Sequence, residues 1–262
     1  MDGRRARPAR LDAALARAWA ARKSESRGIQ GDAEASGAAA AEALVLFEAE
    51  GETAACVDCL NALATSAIHR DEIASARAHL ERSAGLARTL DDPFRVGAAV
   101  GNLGAIAMYE RDFGGAQRSF EEAVEISRAL GKHEALASSL TNVALCASQI
   151  DDFEKAAAFA RESLHLHAQL EDAPGLIYAL IAAETILVQR QEWALVATVA
   201  AATTALADAV GLEIEPFERD LHDRAAQLAA CNLSSEAHDA AAEEGLELGR
   251  AELMSVALNA LD

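Results

Sequence analysis

The sequence predicts an all-α fold, a right-handed superhelical solenoid of helical hairpins, and three observations carry that prediction. Ala fills 65 of 262 positions, while aromatic residues make up 4%. Ala is the best helix former, so the core has to be close-packed helices bearing small side chains. Only four prolines interrupt the chain, Pro8, Pro93, Pro174 and Pro216, too few to break long helices often. The third observation is a period: a shift of 40 residues aligns Ile73, Phe113, Phe153 and Trp193, each preceded by an acid (Glu72, Asp112, Asp152, Glu192). A repeat of this length is the signature of stacked supersecondary units.

The same shift aligns Leu60, Val100, Leu140 and Leu180, then Leu63, Leu103, Val143 and Ala183, then Ala64, Gly104, Ala144 and Glu184. Apolar positions recur at three and four residues, as one face of a helix requires. Each repeat is therefore expected to be a hairpin. First helices are placed at 55–70, 94–110, 133–150 and 175–190, and second helices at 72–90, 112–130, 152–170 and 192–210. Asp112, Asp152 and Glu192 fall where an acid meets the helix dipole and free N–H groups. Pro93, Pro174, Gly131 and Gly211 mark entries and exits. Phe113, Phe153 and Trp193 are read as large rings seated at the turns. Shifted backwards, the period sets Asp32 under Glu72 and Ser36 under Ala76, so a half-preserved repeat precedes the first clear one. The expected organisation is a basic N-terminal helix or degenerate half-repeat at 1–27, repeats at 28–211, and a degenerate last repeat with a capping helix at 212–262.

Charge narrows the partners. The formal net charge is −19, and neutralising a phosphate backbone needs a surplus of Lys and Arg, so no nucleic-acid contact is expected from the acidic body. The first 27 residues are the exception, with eight basic groups against three acids. That Arg-rich start carries acids and merges into helical periodicity, so it reads as a basic helix rather than a transit peptide. No run approaches 18 apolar residues without a charge or strong polar break, so no membrane span is expected and the location is read as cytoplasmic. Cys56 and Cys59 form a C-x-x-C, but a structural zinc takes about four ligands and no second pair lies nearby. The four cysteines are read as free, and no cofactor or metal is expected.

The segments Asn102–Leu130 and Asn142–Leu170 resemble tetratricopeptide repeats. Leu103-Gly104, then Ala116, Phe120 and Ala123, match that family's alternation of small and large residues. The period of 40 exceeds the standard 34, and this longer form is similar to repeats in the C-terminal arms of bacterial LuxR-type regulators and other signal-transduction ATPases. The segments 192–219 and 232–258 resemble the closing portion of such arms. No G-x-x-x-x-G-K-[ST] phosphate loop is present, and no room for a helix-turn-helix follows Leu258. The resemblance implies a sensor or interaction arm, free-standing or part of a larger regulator, that binds a protein or peptide without catalysis.

In such a solenoid the first helices line the inner face. Counting from the Leu-Gly position, that face is expected to carry Asp58, Asn61, Thr65 and His69; Asn102 and Tyr109; Ser138, Thr141, Asn142 and Gln149; Tyr178, Thr185 and Gln189; and His222. Asn102 and Asn142 share one repeat position, and the resemblance implies that they clamp a peptide amide, since a carboxamide offers donor and acceptor together. Basic groups are missing from this set, so a clamp for a peptide's terminal carboxylate is not expected. His165 and His167 are read as solvated, Glu121, Glu122 and Glu125 as an exposed acidic face. The rival expectation is a small-molecule-sensing or enzymatic helical domain using the concave cleft, which a deep closed pocket with perturbed carboxylates would favour.

Overall fold

A computed structural model describes residues 32–261, with side chains from Ser36 onward; the expected basic helix at 1–27 lies outside them. Among the described residues there are twelve helices and no strand. They are α1 (Asp32–Glu50), α2 (Thr53–His69), α3 (Ile73–Thr89), α4 (Pro93–Tyr109), α5 (Phe113–Ala129), α6 (His133–Gln149), α7 (Phe153–Gln169), α8 (Ala173–Arg190), α9 (Trp193–Val210), α10 (Pro216–Asn232), α11 (Ser235–Glu247) and α12 (Arg250–Ala260). All eight helices expected from the period are present, with ends within two residues of those read from the sequence. Helix α1 occupies the half-preserved repeat that precedes them.

The turns explain the period. A residue with positive φ recurs every 20 residues: Gly51, Asp71, Asp91, Arg111, Gly131, Asp151, Glu171, Gln191 and Gly211. Each half-repeat ends in one left-handed residue, which reverses the chain and lets the next helix pack back. Only three of the nine are glycine, so six positions carry the steric cost of a Cβ in that conformation. The next helix starts two residues on. Asp112 accepts from Gly115 N–H at 2.9 Å, Asp152 from Lys155 N–H at 3.4 Å and Asp172 from Gly175 N–H at 3.1 Å. Glu192, expected to act likewise, makes no side-chain cap; its carboxylate sits one methylene farther out, a poor reach for an N-cap.

The chain divides into two compact units, one ending at Ile106 and one beginning at Ala107. In the first, α1, α2 and α3 pack in sequence around Ala40, Ala43, Leu44, Cys56, Cys59 and Leu60. Cys56 and Cys59 are buried and form no disulfide, small apolar wedges in a core of small residues. Ser83 on α3 donates to the Asn61 side-chain oxygen at 2.8 Å, fastening the hairpin from inside.

In the second unit α5 to α9 follow as hairpins, α10 packs on α8 and α9, α11 packs mainly on α9, and α12 follows. Its core centres on α8, where Leu176, Ile177, Leu180, Ile181, Ile186 and Leu187 are wholly buried. Helix α12 packs on α7, α8 and α9; Arg161 and Arg190 donate to the carbonyls of Leu261 (2.6 Å) and Ala260 (2.5 Å), which satisfies orphan acceptors at a helix end. Among the described residues, Trp193–Val210 is the one helix long and apolar enough to cross a bilayer, with a mean hydropathy of 1.6. It packs against α8, α10 and α11 and buries Val196, Val199, Ala202 and Thr203, the pattern of a core helix. Phe113, Phe153 and Trp193 open α5, α7 and α9 and are half-buried.

Candidate functional site

Helices α6, α8 and α10 form a consecutive inner layer of the second unit, α8 packing against both neighbours. Two clefts run along it. The first, about 250 Å³, is lined by Ser138, Thr141 and Asn142 of α6, His167 of α7, Gly175 and Tyr178 of α8, and Glu215 and Glu218 from the start of α10. The second, about 220 Å³, is lined by Ser148 and Gln149 of α6, Asp151 and Phe153, Thr185, Val188 and Gln189 of α8, and Leu221, Arg224, Ala225 and Leu228 of α10. Asn142 and Gln149, Tyr178 and Thr185, and Glu218 and Ala225 are each seven residues apart, two turns of one helix face. The clefts therefore lie about 10 Å apart along one stripe.

The sequence-predicted residues divide between the units. Ser138, Asn142, Gln149, Tyr178 and Gln189 are brought together in the two clefts. Tyr109 is 61% exposed and lies outside both. Asn102, Asn61, Thr65 and His69 belong to the first unit. There Asn102, Thr65 and His69 are exposed, with Thr65 donating to the Asn61 carbonyl (3.1 Å) and His69 Nδ1 bonded to the Thr65 carbonyl (2.8 Å). Asn61 is half-buried and held by Ser83. Thr141, at the same repeat register as Asn61, likewise turns toward Ser163 at 2.5 Å, because that register faces the partner helix of its own hairpin.

Helix α10 supplies what the inner-face list missed. The list held no basic group, yet Arg224 lines the second cleft. His222, expected on the inner face, is buried against α8, where its Nδ1–H donates to Glu184 Oε2 at 2.8 Å. Its Nε2 lies 2.9 Å from Thr204 Oγ1, whose own hydrogen goes to the Ala200 carbonyl. His222 thus meets the fully buried Glu184 side chain through one ring nitrogen and Thr204 through the other. Burial alone depresses its pKa, but the Glu184 hydrogen bond and charge outweigh this and hold it above the usual histidine value.

His167 behaves oppositely. Expected to be solvated, it is 1% exposed. Its Nδ1–H donates to Asp172 Oδ2 at 2.9 Å, and Nε2 meets Thr141 Oγ1 at 3.2 Å. Desolvation wins over the Asp172 attraction and pushes its pKa down, so the ring is neutral. Gly175 makes room for it, since a Cβ there would stand 2.1 Å from the ring.

The buried acid of the first cleft, Glu218, is also perturbed. Glu218 is 8% exposed; burial raises its carboxyl pKa, its own backbone amide opposes the shift, and Glu215 adds to it. Burial likewise raises the Tyr178 hydroxyl. Cys146 is pushed up to about 12 by burial, with Glu218 adding, so it is an inert thiol rather than a nucleophile. Among the described residues no group of three or more His, Cys, Asp or Glu side chains is placed to hold a metal ion. The ring of Phe217, next to Glu218, packs on that of Phe113 with centroids 5.8 Å apart, so the start of α10 reaches α5.

Comparison with known proteins places this geometry. Residues 95–168 match the tetratricopeptide repeat family model. The fold is similar to that of aspartyl phosphate phosphatase F from Bacillus subtilis, with a TM-score of 0.58 and 13% identity over 92% of this chain and 61% of that one. It is also similar to the nearly identical TPR-like repeats of a putative kinesin light chain from Podosopora anserina, with a TM-score of 0.54 and 13% identity over 87% of this chain and 98% of that one. No curated protein matches the sequence significantly. The fold is thus a tetratricopeptide-like array of helical hairpins.

Proposed function

We propose that the protein is a non-catalytic binding module that holds an extended peptide segment of a partner protein along the inner stripe of α6, α8 and α10. The observation that carries this reading is the pair of clefts about 10 Å apart on one face, lined by Ser138, Asn142, Gln149 and Gln189. An extended peptide in the polyproline II conformation rises about 3.1 Å per residue with three residues per turn, so side chains three residues apart lie on one side and reach both clefts. Between them, side-chain carboxamides offer donors and acceptors to a peptide backbone. The two clefts, about 250 and 220 Å³, fall below the range of small-molecule sites, about 300–1,000 Å³, which favours the peptide reading over an enclosed small-molecule or catalytic site.

The wider role we propose is that of a cytoplasmic sensor or interaction arm in a bacterial signalling or transcription-regulatory system, in which engagement of the stripe biases a partner domain. The repeat length and closing segments support it. A tagged full-length chain used to recover partners from its native host tests the stripe: Asn142→Ala/Gln149→Ala/Gln189→Ala should lose the protein that wild type recovers while keeping its helical circular dichroism. Equal recovery would move the binding surface elsewhere, with Asn102, Thr65 and His69 in the first unit the next to replace.

A further inference from the structure

The first cleft contains a buried acid with no side-chain partner among the described residues. Glu218 is buried to 8% exposure, yet its carboxylate bonds only its own backbone amide, and among the described residues no side chain pairs with it. Arg219, beside it in sequence, sends Nη2 to the Ile214 carbonyl at 3.2 Å. His167, the other nitrogen base in the cleft, is engaged by Asp172 and Thr141 and is neutral. An acid in the first turn of a helix complements its dipole, but exposed Glu215 already stands at that end. The dipole therefore does not account for an acid turned into a cleft. Burial disfavours its charged form, and a cation seated in the cleft would restore that form by pairing with it.

We propose that this cleft seats the cationic side chain of the bound peptide, arginine or lysine, with Glu218 as its buried counter-ion, Glu215 as a second acceptor at the mouth and the Tyr178 ring as the wall the cation lies against. The inference rests on the reading of the stripe as a peptide groove. The cleft fits the chemistry on three counts. Glu215, Glu218, Asn142 and Ser138 line it, and the Ser138 hydrogen already goes to the Glu134 carbonyl, so acceptors are in surplus for a group that only donates. An aromatic face beside an acid is the usual seat of a guanidinium or ammonium. The formal charge of −19 draws basic segments toward the molecule. The second cleft, with Phe153, Val188, Leu221 and Leu228, would take an apolar side chain about three residues away.

The test is selection from a random nonapeptide display library on the full-length chain, followed by affinity measurement with the selected peptide and its citrulline analogue, which keeps the shape of arginine and removes its charge. Selected sequences should carry Arg or Lys at one position and an apolar residue about three places away. Citrulline should weaken binding about ten- to a hundredfold, as loss of a charged hydrogen bond does. Glu218→Gln should weaken the arginine peptide by a similar factor, leave the citrulline peptide nearly unaffected and keep the helical circular dichroism. Glu218→Lys should turn the preference at that position to Asp or Glu. Selection of peptides with no basic position would overturn this inference and leave the groove standing, as would a basic preference untouched by Glu218→Gln. Selection of no peptide at all would overturn both. Free arginine, run as a separate arm, should fail to compete at concentrations where the peptide saturates; competition at equal strength would make the site one for a small amine and refute the peptide occupant.

Discussion

The buried Glu184–His222 pair should dominate the stability of the second unit. Glu184 stands at the repeat position that is Ala64, Gly104 and Ala144 elsewhere, is wholly buried, and has one oxygen on His222 Nδ1 and the other, Oε1, without a hydrogen-bond partner. His222→Leu leaves that carboxylate with no cation, and breaking one side of a buried pair costs about 3–5 kcal/mol, a large part of the roughly 5–15 kcal/mol that holds a domain folded. Glu184→Ala/His222→Leu removes the stranded charge as well and should be less damaging than His222→Leu alone. The pH dependence is read with Glu184→Gln, which keeps size and hydrogen bonding but not charge. Because the folded pKa of His222 is raised above 6.5, the stabilisation is fully present below that value and lost as pH rises through the folded pKa. Urea unfolding between pH 5.5 and 8.5 should thus show a wild-type advantage over Glu184→Gln that shrinks above pH 6.5. A His222→Leu cost within about 0.5 kcal/mol, the scale of surface changes, or an advantage that grows with pH, would refute the ion pair.

Three further outcomes follow from the geometry. Gly245→Ala places a Cβ 2.1 Å from the Thr198 carbonyl oxygen, so α11 must lift from α9 at a cost of about 1–3 kcal/mol, read as a lower urea midpoint. Gly131→Ala meets no atom within 4 Å and should cost about 1–2 kcal/mol through its φ of 63° alone; Glu171→Gly, at a φ of 55°, should gain about 1 kcal/mol by the same argument in reverse, both measured by urea unfolding. His167, whose pKa is depressed by burial, keeps its contribution above pH 6.5 and loses it as pH falls below that value toward the folded pKa. His167→Gln should therefore flatten the acid side of the stability profile; His79, also depressed, and the depressed Asp92 and Glu121 contribute to the slope that remains.

The helices were legible because their cause is repetitive. Apolar residues at three- and four-residue spacing mark each helix, and the acid before Phe113 or Phe153 marks each start; these are local properties of the chain. The turns were legible only at Gly131 and Gly211, since Arg111, Glu171 and Gln191 adopt the same left-handed conformation with no residue preference announcing it. The site was legible only in part. Counting along the first helices found Asn142, Tyr178, Gln149 and Gln189, whose positions follow from the repeat. Glu218 and Arg224 escaped because α10 begins after an irregular loop that breaks the 40-residue register. His167 was misread because its burial depends on Gly175 and Asp172, one half-repeat away. Glu184 did carry a signal: a carboxylate at a position otherwise Ala or Gly.

These departures are not scattered. Glu184, His222, Glu218 and His167 all lie between residues 167 and 222, from the last turn of α7 into α10. A solenoid built only for stability would keep small apolar residues at such positions, since each neighbour interface adds its own increment and a buried ion pair is on average no better than an apolar one. Local rules broken together in one place mark a region shaped by something besides folding. The Glu184–His222 pair fastens α10 to α8, while Glu218, on the same helix as His222 and one turn away, has no side-chain partner among the described residues and lines the cleft. Holding α10 in register is what keeps Glu218 opposite Asn142 and Tyr178, so the internal pair works as the positioning element for the binding acid. Any change that frees α10, Glu184→Ala included, should therefore weaken peptide binding even though Glu184 touches neither cleft.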